Sequence, residues 1–184
     1  FYYSQELERV DDAYPESYLL KLAHQSFNGI WLREQLRELV RTRLLPEFAK
    51  HSDRLLGRLN ALIAKCAKYN IKVYLYLTEP LGLSDAEGRS VFRRHPHVRG
   101  ESPAGWRGSG LCSSRPEVKA YLREGFAELF RRAPGLGGVI LITASEHPSH
   151  CWSHVWLNHG QPGPRCPRCR RRTPIDERLA NVLS

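Results

Sequence analysis

The chain has 184 residues, of which 41% are hydrophobic and 10% are aromatic, a composition typical of a folded globular protein with one core. No segment is both apolar and long enough to span a bilayer, so we expect a soluble chain without a membrane partner. The formal net charge of +9 suits an anionic partner, but the arginines are spread along the chain and only the segment RCPRCRRR is dense. Nucleic acid is therefore not the partner we expect first.

The first half of the chain alternates strand and helix. Apolar residues recur at helical spacing between Pro15 and Gln25 and again after Ser52, whereas β-branched and aromatic runs indicate strands. The predicted order is a strand tail at residues 1–4, a helix at 15–25, a strand at 29–32, a structured loop at 33–48, a helix at 52–69 and a strand at 71–77.

The second half continues the alternation after a long loop. Residues 81–114 are rich in Gly, Pro, Ser and His, with a short helix predicted from Asp85 to Phe92. A helix follows from Pro116 to Arg132, then a strand from Val139 to Thr143 that we expect to be buried on both faces, and a last helix begins near Pro174.

Repeated strand–helix units predict an α/β fold with a parallel sheet and right-handed crossovers. The long segments follow the carboxyl ends of strands while the helix-to-strand turns are short, as in a TIM (β/α)8 barrel, whose active sites are built from the strand-to-helix loops. The expected fold is thus a partial barrel, strands 1–4 with their helices, forming one catalytic domain over residues 1–184. The remainder of the barrel would come from sequence beyond Ser184.

Two glutamates at predicted strand ends are candidates for chemistry. Glu146 follows the strand at 139–143, where partial desolvation can raise its pKa and suit it to protonate a leaving group; the alternative is a salt-bridged rim carboxylate. Glu79 follows the strand at 71–77 and would bind substrate or take part in catalysis, although Thr-Glu-Pro also suits a plain turn. Trp31 and Trp106 are candidates for stacking on sugar rings, and most other aromatic residues are expected to be core.

The loop at residues 147–172 has the spacing of a zinc knuckle. Cys151-Trp-Ser-His154 and Cys166-Pro-Arg-Cys169 each offer two ligands from a tight turn, which predicts a structural Cys3His site for Zn2+. His147, His150 or His159 are alternatives to His154 as the fourth ligand. A Cys166–Cys169 redox pair or ordinary free thiols are the other interpretations.

The five cysteines also bear on the compartment. Their odd number argues against a complete disulfide framework, and Cys66 falls in a helical pattern that predicts a buried apolar residue. Free cysteines and the absence of a visible signal segment favour a cytoplasmic location.

Several segments together carry a resemblance to a known family: YPESYLLKLA, FNGIWL, AKYNIKVYLYLTEP, HPHVRG, LCSSRPEVKAYLRE and GLGGVILITASEHPSHCWSH with CPRC. The chain resembles bacterial glycoside hydrolase-like barrel proteins and is similar in layout to hexosaminidase-type and related retaining glycosidases. The resemblance implies that Glu146 is the general acid/base, and that Trp31, Glu79 and His147 line a sugar pocket. Ser145 stands where hexosaminidases place an Asp, so an N-acetylhexosamine substrate is not implied.

The resulting functional hypothesis is a glycoside hydrolase that cleaves O-glycosidic bonds of an oligo- or polysaccharide. One alternative is a non-catalytic zinc-knuckle module that binds nucleic acid through RCPRCRRR. Another is a hydrolase with a catalytic zinc held by three protein ligands.

Overall fold

A computed structural model describes residues 6–103, 105–142, 147–153, 164 and 166–171. The chain divides into two compact units, one of Phe1–Leu77 with Gly125–Leu141 and the other of Thr78–Glu124 with Ile142–Ser184. The described strands are β1 Gly29–Glu34, β2 Lys72–Leu77, β3 Leu83–Ser84, β4 Gly108–Ser109 and β5 Gly138–Leu141. The described α-helices are α1 Val10–Ala13, α2 Glu16–His24, α3 Leu36–Leu39, α4 Ser52–Ala67, α5 Asp85–Arg94, α6 Pro116–Arg132 and α7 Pro167–Arg170.

The first unit contains a three-stranded parallel sheet in the order β1-β2-β5. Alternate residues of β1 and β2, such as Leu32 and Leu75, are fully buried, while α4 packs against β2. Leu55, Leu59 and Leu62 recur on one face of α4 because residues three and four apart share a helix face. Each such leucine contributes about 1.5–3 kcal/mol by leaving water. The parallel sheet and the amphipathic helix predicted from the sequence are confirmed.

The other face of this sheet is partly exposed. Trp31 is 48% exposed and its ring lies 5.2 Å from that of Tyr76, over which the Arg33 guanidinium also lies. The neighbouring residues Ile140 and Leu141 of β5 point to opposite faces of the sheet: Ile140 is 40% exposed on the face of Trp31, and Leu141 is 39% exposed on the opposite face. The expectation that this strand is buried on both faces is therefore wrong, because no described element covers these side chains.

The second unit contains an antiparallel ribbon in which Leu83 of β3 pairs with Ser109 of β4. Helix α5 follows β3 directly, and its first turn is closed by a capping box in which the side chains of Ser84 and Glu87 each accept from the other's backbone N–H. The short helix predicted from Asp85 is confirmed and extends to Arg94. The segment predicted as a long loop thus contains two short strands and a helix.

The resemblance to barrel glycosidases is wrong. The described strands form a small three-stranded parallel sheet and a two-stranded antiparallel ribbon, and no barrel layout is evident in them. Three parallel strands suit an open sheet as well as part of a barrel, so the predicted fold class, the single domain and the loop at 147–172 stay predictions. The strand predicted at 1–4 and the helix predicted near Pro174 lie outside the described residues.

Among the helices of the described ranges, none has the length and apolar character needed to cross a membrane.

Candidate metal centre

Four buried cysteines of the second unit meet in one cluster: Cys112, Cys151, Cys166 and Cys169. All four sulfur atoms lie within 4.8 Å of one another. The Sγ atom of Cys112 is 3.9 Å from that of Cys166 and 3.7 Å from that of Cys169. These separations are far longer than a disulfide bond of about 2.05 Å, and all four cysteines are free.

Cys112 reaches the cluster through backbone pairing rather than through a local motif. Leu111 forms a parallel bridge with His150, and its N–H donates to the carbonyl of Ser149 at 3.2 Å. Residues that follow a parallel bridge continue side by side, so Cys112 comes to lie next to Cys151. The N–H of Cys112 also donates to the carbonyl of Val98 at 2.8 Å, which fixes the strand-like segment on its other side.

The other two cysteines come from the turn Cys-Pro-Arg-Cys. Pro167 begins α7, and the N–H of Arg170 donates to the carbonyl of Cys166 at 2.9 Å, so the two cysteines lie on one side of a single helical turn. The N–H of Cys166 donates to the Glu101 carboxylate at 2.9 Å, and the Ser114 hydroxyl lies 3.2 Å from the sulfur of Cys169. These partners orient the two cysteines toward the centre of the cluster.

The geometry fits a tetrahedrally coordinated dication. A zinc ion with bonds of about 2.3 Å to four thiolates requires sulfur–sulfur separations of about 3.8 Å. The two separations at Cys112 lie on either side of this value. The cluster is thus compatible with a metal ion, and four protein ligands would fill a tetrahedral shell.

The thiols share their protons unequally. Hydrogen bonding with Cys151 lowers the pKa of Cys112 to about 6, and hydrogen bonding with Cys112 lowers the pKa of Cys166. Hydrogen bonding with Cys112 is the largest cause that raises the pKa of Cys151 and of Cys169. Two of the sulfurs thus favour the thiolate that a metal ion requires, while the other two donate to them.

Three of the predicted metal ligands, Cys151, Cys166 and Cys169, lie in this cluster. The fourth position is occupied by Cys112, which the sequence-based prediction did not include, whereas His154 lies outside the described residues. The number of cysteines in the sequence could have indicated Cys112 as the fourth ligand. Once Cys66 is assigned to a helix, four cysteines remain for the cluster. Cys66 is indeed buried in α4.

Of the two candidate carboxylates, Glu146 lies outside the described residues and Glu79 is buried just after β2. One carboxylate oxygen of Glu79 accepts from the Tyr121 hydroxyl at 3.0 Å and from the N–H of Leu81 at 3.1 Å. The N–H of Gly82 donates to the carbonyl of Pro148 at 2.7 Å. The segment that carries Glu79 is thus tied to the segment that follows Glu146.

The remaining predicted substrate-binding residues are distributed over the two units. Trp31 lies on β1 in the first unit, while His147 and Trp106 are half-buried in the second. A Cβ atom placed on Gly82 or Gly108 would lie 2.9 Å from the Trp106 ring, so this ring packs on backbone rather than standing free. The role of these residues in sugar binding stays a prediction.

The structure also reveals a buried acid that the sequence did not single out. Glu34 ends β1 and is fully buried; one of its oxygens accepts from the N–H of Leu7 at 3.1 Å, and the other has no partner among the described residues. Burial raises the pKa of Glu34 to about 8. Glu34 is thus largely a neutral carboxylic acid at pH 7.

No family model, no curated protein and no solved structure matches this chain, so its function has to be argued from the site itself.

Proposed function

We propose that the four-cysteine cluster binds one Zn2+ ion as a structural site within a glycoside hydrolase. The observation that carries the metal part is the agreement between the sulfur separations of 3.7 and 3.9 Å and a zinc–thiolate tetrahedron. Zinc suits an all-thiolate shell better than a hard cation, which prefers oxygen ligands. Reduced thiols at the cluster also favour a reducing compartment such as the cytoplasm.

The same geometry disfavours a catalytic role for the metal. Catalytic zinc sites keep one position open for water or substrate, while four thiolates complete the shell. We therefore assign the metal to architecture. It would hold together three segments that are distant in the sequence, around Cys112, around Cys151 and at the Cys166–Cys169 turn.

The chemistry is assigned to carboxylic acids, with Glu146 as the general acid/base. Support comes from the segment directly after it, in which Ser149, Cys151 and Ser153 are almost completely buried and the N–H of Ser149 donates to the Ser153 hydroxyl at 3.1 Å. This segment is bonded to the one that carries Glu79, because the N–H of Gly82 donates to the carbonyl of Pro148. Hydrolysis of a glycosidic bond needs two carboxyl groups, one of them acting as an acid, and Glu79 is the candidate for the second.

The metal part is tested by the zinc content of protein purified under reducing conditions without a metal-affinity tag. We expect about one zinc per chain, bound through four thiols that alkylate only after chelation. Protein that is folded and reduced but free of zinc would contradict the metal assignment.

The catalytic part is tested by screening the protein against aryl glycosides of different sugars and comparing any turnover with that of Glu146→Gln. Loss of a general acid lowers kcat by about 100-fold to 10,000-fold. The matched control is Glu16→Gln on α2, which makes the same chemical change at an exposed position of the first unit. Equal turnover by the Glu146 variant and the unchanged protein would refute the role of Glu146.

A further inference from the structure

A second candidate site lies on the outer side of the Cys166–Cys169 turn. Here a cavity of about 500 Å3 is lined by Ser114, Pro167, Arg168 and Arg171. Its size falls in the range of small-molecule pockets, which is roughly 300–1,000 Å3. The described lining thus offers two guanidinium groups and a hydroxyl, and it includes no carboxylate.

The arginines of this cavity are not neutralised by acids. Several other arginines are held by carboxylates, as Arg132 is by Asp53 and Arg131 by Glu128. Arg168 and Arg171 form no ion pair with any residue in the described part of the chain. The cavity is therefore lined by two arginines that have no carboxylate counter-charge among the described residues.

Arg168 is also held in place with unused hydrogen-bonding capacity. Its terminal amino group donates to the carbonyl of His97 at 2.7 Å, to which Arg115 also donates. Its Nε atom is buried and has no partner among the described residues. A buried donor without an acceptor is costly, and a guanidinium satisfies its remaining donors best with a planar or tetrahedral oxyanion.

We propose that this cavity is an oxyanion site that binds the phosphate or sulfate group of a small ligand through Arg168 and Arg171. Every described polar group around the cavity can donate a hydrogen bond, so the ligand has to supply acceptors and negative charge. The site is separate from the chemistry assigned to Glu146 and does not depend on it. It shares the Cys166–Cys169 turn with the metal site, so zinc content has to be followed in parallel.

The test uses the zinc-loaded protein with inorganic phosphate, inorganic sulfate and methyl phosphate as probes. Binding is followed by the NMR signals of the arginine Nε–H groups and by equilibrium dialysis. We expect saturable shifts at Arg168, and binding about tenfold or more weaker in Arg171→Glu, as for the loss of one charge-assisted hydrogen bond. The control is Arg93→Glu, which makes the same charge change on the exposed side of α5.

Comparing the probes distinguishes the sources of the anion. Binding of methyl phosphate or sulfate supports a small ester ligand and tells which of the two groups is preferred. Binding of a short oligonucleotide but of none of the small anions would overturn the proposal in favour of a nucleic-acid surface. If anion binding is weakened equally in the Arg93→Glu and Arg171→Glu variants, only the overall charge of the protein matters, and the proposal is overturned. Loss of zinc in Arg171→Glu with unchanged anion binding would assign this arginine to the metal cluster instead, and would also overturn the proposal.

Discussion

The replacement of Cys112 by serine tests the metal centre most directly. Cys112 is fully buried, and it is the candidate ligand that the structure adds to those predicted from the sequence. A serine hydroxyl is nearly the same size as the thiol but stays protonated at neutral pH, so it cannot replace the thiolate as a zinc ligand. The substitution therefore removes one ligand while leaving the packing nearly unchanged.

The size of the effect follows from the number of ligands. Structural zinc binds thiolate sites with an apparent free energy of about 10–16 kcal/mol, and an even division over four ligands gives about 2.5–4 kcal/mol for each. The loss of Cys112 should then weaken zinc binding on the order of 100-fold to 1,000-fold. Since the bound metal stabilises the folded state, thermal unfolding should also shift to lower temperature in zinc-containing buffer.

Zinc affinity would be measured by competition with a chromophoric chelator, for Cys112→Ser beside Cys66→Ser and His154→Ala. Cys66 is equally buried but lies in α4, outside the cluster, so its replacement should leave zinc affinity unchanged. If the four sulfurs complete the shell, His154→Ala should also bind zinc normally. Normal zinc affinity in Cys112→Ser together with its loss in His154→Ala would refute the four-thiolate assignment.

Three further substitutions test other features of the structure. Glu34→Gln should abolish a pH dependence of stability. Burial raises the pKa of Glu34 to about 8, so the unchanged protein should lose stability by up to about 1.4 kcal/mol per pH unit as the pH rises from about 4.5 toward 8. If the free energy of unfolding in urea changes equally with pH in both proteins, this reasoning is contradicted. Tyr121→Phe removes the hydroxyl that donates to the buried Glu79 carboxylate and should cost about 1–3 kcal/mol in the same assay; an unchanged midpoint would argue against that bond. Gly82→Ala places a Cβ atom 2.6 Å from the carbonyl oxygen of Pro148 and should destabilise the folded state by about 1–3 kcal/mol. Gly57→Ala has open space around it in α4 and should stabilise the folded state by about 0.5–1 kcal/mol. Stability changes of the same sign in the two variants would count against the close contact at Gly82.

The sequence predicted those features that depend on neighbours along the chain. The amphipathic repeat of α4 and the apolar and aromatic run of β2 are local patterns, and both elements form where they were expected. The Cys166–Cys169 turn is equally local, because its two ligands are separated by only two residues. Such features need little information about the tertiary fold.

Features set by distant pairing could not be predicted in the same way. Cys112 joins the cluster because Leu111 pairs with His150, a register that no local spacing encodes. The C-x-x-H spacing instead directed attention to His154. Glu34 was missed for a related reason, since its burial results from the packing of the segment around Leu7 onto the end of β1. Only the tertiary structure shows that one of its oxygens is left without a described partner.

The cysteine cluster would supply the fixed geometry that the proposed catalytic carboxylates need. A general acid needs a fixed position and partial desolvation, which an irregular loop rarely achieves by its own hydrophobic contacts. In the second unit, four thiolates around one dication would supply the missing rigidity, because they join Cys151 to segments that are distant in sequence. The hydrogen bond from Gly82 to Pro148 extends this constraint to the segment that carries Glu79. On this view zinc removal should impair the proposed hydrolysis by displacing the acids rather than by removing a Lewis acid. Displaced acids also lose the desolvation that raises their pKa, so the limb of the pH profile on which the general acid loses its proton should move to lower pH while the amplitude falls.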